Sequence, residues 1–200
     1  MSELDDAFLD ESLRAFVAST ASADLLPGAG TVAALTAAQA AGIVGMAARR
    51  AAEEVPDAAE VAGEADELRE RLLLLAVANR DAYREASTSL GRMGDEDDAV
   101  RDRHLGSDLA RAAYTPLSSA EVAAEVAELA ALVAQGGQPD VRPDAAAACC
   151  LAEGAARTGA HLVAVNLSTL PEDERVAQAA DHVASAAESR EKALAAGGRS

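Results

Sequence analysis

The sequence predicts an all-α fold, a helical bundle of six or seven helices, and three observations carry that prediction. Half of the 200 residues are hydrophobic, yet there are only two Phe, two Tyr and no Trp, so the apolar mass is alanine, leucine and valine. Alanine is the strongest intrinsic helix former, and the β-branched residues are too scattered to build a sheet. Apolar residues also recur at alternating spacings of three and four, the period of a helix with one buried face. A single domain over residues 1–200, with its core at about 8–190, is expected, because roughly 100–200 residues commonly make one domain and no long linker interrupts the pattern.

The elements follow in order. A segment from about Asp5 to Ser19 carries Phe8, Leu9, Leu13, Phe16 and Val17 on one face. A long helix is expected from about Thr31 to Glu54, where "EVPDA" stops it because proline disfavours helical geometry in the residue before it. Gly42 and Gly45 within it lower helix propensity, which points to the close approach of a neighbouring helix. The next helix, about Asp57 to Arg92, shows the stripe Leu68, Leu72, Leu75, Asn79, Tyr83, Ala86, Leu90. Leu74, Val77 and Asp81 form a second set, so burial on two sides is expected. Further helices are expected from about Asp98 to Tyr114, from about Ser118 to Gln135 after a break at Thr115-Pro116, and from Asp144 to about Leu167. A last one runs from "LPEDER" to "AAGGRS".

Charge and cysteine usage exclude several function classes. A net charge of −17 repels phosphate backbones and anionic lipid, so neither nucleic-acid nor membrane-surface binding is expected. Lys192 is the only lysine, and carboxylates outnumber basic residues two to one, a balance that favours salt-dependent stability. Cys149 and Cys150 are adjacent in an alanine run, which suits neither a disulfide framework nor a metal site. The acidic start "MSELDDAFLDES" lacks the features of a signal peptide, and no apolar run is read as reaching the roughly 18 residues of a membrane span. A cytoplasmic location is the resulting expectation.

Strong catalytic motifs are absent: there is no HExxH, CxxC, GxSxG or GxxxxGKS. What remains is a set of polar residues in apolar surroundings. "LLPGAGTVAALTAAQAAG" opens a helix with a glycine-rich loop, which can either cradle a polar ligand group or let two backbones pack closely. Asn79 lies on a hydrophobic stripe and must find partners there or carry a desolvation penalty. Asp81 could serve as a base, although a carboxylate so close to a stripe is more often solvated. Asp144 reads equally as a catalytic carboxylate and as a helix cap, and Asn166 equally as a ligand-holding amide and as a C-terminal cap. His104, His161 and His182 read as surface residues. Arg101, Arg103 and Arg111 could pair with substrate carboxylates or with the neighbouring "DEDD".

Four segments carry a resemblance to a known family. "PGAGTVAAL" at Pro27–Leu35, "ANRDAYREA" at Ala78–Ala86, "YTPL" at Tyr114–Leu117 and "RPDAAAACCLAEGAARTGAHLVAVNL" at Arg142–Leu167 resemble, in this order, the cyclodeaminase/cyclohydrolase family. The resemblance extends over nearly the whole chain. It implies an all-α homodimer handling one-carbon groups on tetrahydrofolate, with the folate as substrate and no separate cofactor or metal. The implied reaction is hydrolysis of 5,10-methenyltetrahydrofolate to 10-formyltetrahydrofolate. Formiminotetrahydrofolate cyclodeamination with release of ammonia is an alternative, and a folate-binding or purely structural dimer without activity is another.

The implied roles fall on named residues: Asp81 or Asp144 as proton acceptor, Asn79 and Asn166 on the pterin edge, and Gly28, Gly30 and Thr31 against a polar ligand group. The sequence departs from the family pattern at three positions. Ala29 stands for the middle glycine of the loop, Asn79 for an acidic residue and Leu162 for an asparagine.

Overall fold

The computed structural model describes residues 7–23, 26–92, 106–170 and 172–197, with the side chains of 86–92 outside the description. Among the described residues there are helices and turns and no strand. A 3-10 turn at Ala7–Asp10 precedes α1 (Leu13–Thr20), α2 (Ala29–Arg50), α3 (Ala58–Arg92), α4 (Tyr114–Gly136), α5 (Arg142–Asn166) and α6 (Glu174–Gly197). Residues 106–112 are also helical and lead into α4. The start of the helix expected from Asp98, with Arg101, Arg103 and His104, lies outside the described residues.

Alanine determines how these helices pack. α4 lies against α2, α3, α5 and α6, while α5 also contacts α2 and α6, and α2 and α3 run side by side. Their shared core is built from Ala37, Ala41, Val44, Ala48, Leu72, Val122, Val126, Ala130, Ala152 and Ala156, all buried. Side chains this small let helix axes approach at the short end of the roughly 8–10 Å range. Gly159 marks a close approach of two helix backbones, and Gly45 an ordinary contact. A Cβ on Gly45 would lie 3.7 Å from the Ala62 carbonyl of α3, and one on Gly159 would lie 2.7 Å from the Pro116 carbonyl of α4.

Several elements differ from expectation for identifiable reasons. The N-terminal segment is not one helix, because the Ser12 hydroxyl accepts from the Ala15 N–H at 3.2 Å and starts α1 there. Phe8 is buried with Ala34, Ala76 and Val77, whereas Leu13 and Val17 are exposed. Thr115-Pro116 does not break the chain: Pro116 occupies the first turn of α4, where its missing N–H removes no helical bond. α2 ends at Arg50, with Arg49 and Arg50 in its last turn, as the negative end of the helix dipole favours.

The stripe on α3 is buried at Leu68, Leu72 and Asn79, half-buried at Leu75, and emerges at exposed Tyr83, while Leu74 of the second set is exposed and Val77 fully buried. One further expectation is corrected. Ala29–Arg50 is long and apolar enough to cross a membrane by length and composition, with a mean hydropathy of 1.5. Its residues are small rather than strongly hydrophobic, and 61% of that stretch is buried inside the bundle.

Two ion-paired residues brace the C-terminal half. Glu153, nearly buried on α5, pairs with Arg157 at 2.7 Å and with Arg190 of α6 at 3.4 Å. Arg175 binds Asp173, donates to the Ala110 carbonyl at 2.6 Å and stacks over the Tyr114 ring at 4.5 Å. The Arg175 hydrogen bonds hold the Asp173 carboxyl down at about 2.

Candidate functional site

The glycine-rich loop begins α2 without a side-chain cap. Gly28 is the N-cap residue, in extended geometry, and the first helical bond runs from the Val32 N–H to the Gly28 carbonyl at 3.2 Å. The amides of residues 29–31 belong to the first turn, whose N–H groups have no partner within a helix. No described group accepts from them.

Gly30 packs on α3 and α5. A Cβ there would lie 2.6 Å from Asn79 Oδ1, 3.1 Å from Asn79 Cγ and 3.4 Å from Leu162 Cδ1. Asn79 is 9% exposed and well anchored: its Nδ2 donates to the Leu75 carbonyl at 2.9 Å and to Ser119 Oγ at 3.1 Å. Ser119 in turn donates to the Thr115 carbonyl at 3.0 Å. Thr31, one residue beyond Gly30, is 1% exposed, and its hydroxyl has no partner among the described residues. A buried hydroxyl of this kind costs about 1–3 kcal/mol unless something bonds it.

The remaining expected site residues are spread more widely. Asp81 is two positions from Asn79, about 200° further round the helix, and pairs with Arg84 at 2.9 Å. Asp144 lies in the first turn of α5, and Arg50 at the C-terminal end of α2 is 3.8 Å from it. The 22 residues of α2 span roughly 33 Å at about 1.5 Å each, so Asp144 is not brought to Gly30. Asn166 is the half-buried last residue of α5, one turn beyond Leu162.

His161 is exposed and His182 half-buried, and Arg111 pairs with Asp108 at 3.1 Å. Cys149 is buried, donates to the Ala127 carbonyl and has its thiol pushed up to about 12, chiefly by burial, so it stays protonated. Among the described residues, no three His, Cys, Asp or Glu side chains converge as they would around a metal ion.

Among the described residues, two larger cavities flank the start of α2. One, of about 500 Å³, is lined by Pro27, Ala29, Val32, Thr36, Cys150 and Leu151. The other, of about 550 Å³, is an apolar groove between α1, α2 and α3, bounded by Phe8, Leu13, Phe16, Val32, Leu35 and Leu73. Ser119 was not singled out in the sequence, because beside Ser118 it reads as the start of a helix. Its position four residues after Thr115, facing a buried asparagine, is visible only once α3 and α4 are packed.

The four segments that carry the resemblance therefore meet at one place: the loop through Gly30, the α3 segment through Asn79, the residues bonded to Ser119 through Thr115, and α5 through Leu162. A family model described as formiminotransferase-cyclodeaminase matches residues 12–185. The chain belongs to that family. Among solved structures it is similar to a formiminotetrahydrofolate cyclodeaminase from Thermotoga maritima, with 18% identity, 94% of this chain and 96% of that chain covered, and a TM-score of 0.82. At that identity the likeness establishes the cyclodeaminase fold. No curated protein sequence matches the chain significantly.

For a member of the formiminotransferase-cyclodeaminase family, the departures are concentrated. Asn79 and Leu162 both touch the Gly30 position, whereas Ala29 is exposed and lines the neighbouring cavity with Pro27 and Cys150.

Proposed function

We propose that the chain acts in one-carbon tetrahydrofolate metabolism and hydrolyses 5,10-methenyltetrahydrofolate to 10-formyltetrahydrofolate. The observation that carries this reading is the contact of Gly30 with Asn79, which puts an amide carbonyl beside the N–H groups of a helix start, neither paired among the described residues, in a chain of this family. Gly28, Gly30 and Thr31 supply donors to a polar group of the ligand, and Asn79 and Asn166 hold the pterin. Water adds to the cationic methenyl carbon and loses a proton. The carbon–N5 bond then breaks, leaving the formyl group on N10 and a proton on N5. Of the two expected carboxylates Asp81 is kept as acceptor of the water proton; it pairs with Arg84 about 200° round α3 from Asn79, so it would serve a part of the substrate that extends past the Gly30 contact. Asp144 has no part, being at the other end of α2.

Absorbance-monitored hydrolysis of 5,10-methenyltetrahydrofolate by the purified protein, in low and high salt, tests this. A rate above that of buffer is expected, and Asp81→Asn is expected to lower it by about 100-fold or more, as loss of a general base does. Folded protein with no rate above buffer in either salt would remove the hydrolase reading. Ammonia release from formiminotetrahydrofolate would assign the cyclodeaminase reaction instead.

One observation favours a second reading, folate binding without turnover. The Gly30 contact contains an amide and an isobutyl group, Asn79 and Leu162, and no carboxylate among the described residues. Calorimetric titration with a folate separates a binder from a purely structural protein. The partner proposed is a second copy of the chain, covering exposed Leu13, Val17 and Val32. Sedimentation at twice the 20.3 kDa chain mass is expected.

A further inference from the structure

The orientation of the Asn79 amide can be assigned from its partners. Its two N–H groups go to the Leu75 carbonyl, which can only accept, and to Ser119 Oγ, whose own proton goes to the Thr115 carbonyl. Rotating the amide by half a turn would set two carbonyl oxygens against each other at Leu75 and leave Ser119 without a donor. Asn79 Oδ1 therefore faces Gly30, and no described group donates to it. The Gly30 position beside this acceptor belongs to the first turn of α2, which also carries the N–H groups of residues 29–31, from which no described group accepts, and the buried Thr31 hydroxyl, which has no partner among the described residues. Asn79 and Thr31 are buried here, whereas Gly30 is half-buried and Ala29 exposed, so the acceptor and the helix-start donors lie at the edge of the bundle.

We infer that Ser119 is a positioning residue that, together with the Leu75 carbonyl, sets the hydrogen-bonding polarity of this site. Held by Ser119, Asn79 offers only an acceptor beside the donors of α2. The ligand group that fits is one with an N–H adjacent to a carbonyl, a lactam edge. A group with the reverse pattern, an unprotonated ring nitrogen beside an amino group, meets an acceptor with its lone pair and donors with its N–H. This deepens the folate reading and rests on it, since a pterin in its 4-oxo form carries such a lactam edge and its 4-amino analogue carries the reverse.

The test is calorimetric binding of folate and of its 2,4-diaminopteridine analogue aminopterin to the full-length protein. The wild type is expected to prefer folate by about tenfold or more, since at least one buried hydrogen bond is lost with the analogue. In Ser119→Ala one of the two bonds that orient the Asn79 amide is lost while the Leu75 carbonyl remains, and the preference is expected to shrink severalfold. A purely structural loss would instead weaken both ligands alike and leave their ratio standing. Ser119→Cys, close in size with a weaker acceptor, carries the same comparison should the alanine variant lose its helicity. A wild-type preference for aminopterin, or a ratio untouched by either variant, overturns the assignment of Ser119 while leaving folate binding intact. Binding of neither compound by the wild type overturns both the folate reading and this inference with it.

Discussion

Gly159→Val is expected to destabilise the protein by about 3 kcal/mol, near the upper end of ordinary overpacking costs. The added Cβ would lie 2.7 Å from the Pro116 carbonyl and 3.2 Å from the Ala120 amide, both backbone atoms of α4, and 3.0 Å from Ala120 Cβ. None of these is the end of a flexible side chain that can swing aside, so α4 and α5 must move apart, and both belong to the central packing. Gly154 on the same helix provides the control, because nothing lies within 4 Å of a Cβ built there. Gly154→Ala is expected to stabilise by up to about 1 kcal/mol through helix propensity alone. Urea unfolding of the two variants, read by far-ultraviolet circular dichroism, should give midpoints that shift in opposite directions. Equal shifts would mean that the close approach at Gly159 is not what determines its identity.

Gly30→Val is expected to abolish folate binding while the helical content is kept. The new Cβ would fall 2.6 Å from Asn79 Oδ1, an atom held from behind by two hydrogen bonds. Relief requires turning the amide, which breaks its bonds to Leu75 and Ser119, or lifting the first turn of α2 away from α3. Either movement destroys the pairing of acceptor and donors at the site. The stability loss is expected to be about 1–3 kcal/mol, since the strain is confined to the end of one helix. Titration calorimetry alongside circular dichroism separates the two effects. Folate affinity unchanged in a folded Gly30→Val protein would show that the loop serves packing alone.

The all-α class was legible because composition acts on every residue: an alanine-rich chain without large aromatic side chains has few alternatives to close-packed helices. Helix ends were less legible. Ser12 starts α1 through a single side-chain bond, and Pro116 sits inside a helix that its residue type was read as interrupting. The same alanines kept α2 from being read as a run long enough to span a membrane, although its length and composition pass as one.

For the site, nearness along the chain was a poor guide to nearness in space. Asp81 is near Asn79 along the chain yet faces elsewhere, because two residues turn a helix by about 200°. Asp144 follows a loop and begins a helix, as ligand-binding carboxylates often do, but that helix starts at the wrong end of α2. Gly30, Asn79 and Leu162 came together in the sequence only through family resemblance, and Ser119 not at all. Contacts among four helices far apart along the chain leave no local periodic signal.

The alanine core has a consequence for how this protein tolerates change. In most proteins the damaging core substitution removes atoms and leaves a hole. Here, at Ala37, Ala41, Ala48, Ala130, Ala152 and Ala156, there is almost nothing to remove. Nearly every substitution at these buried positions other than glycine or serine adds volume to a space already closed, so its cost comes from pushing helices apart rather than from lost contacts. Sequence drift in such a core is constrained from above rather than below. Cooperative enlargement and shrinkage of facing residues, as in a pair of opposed positions on α4 and α5, is then the route by which its interior can change.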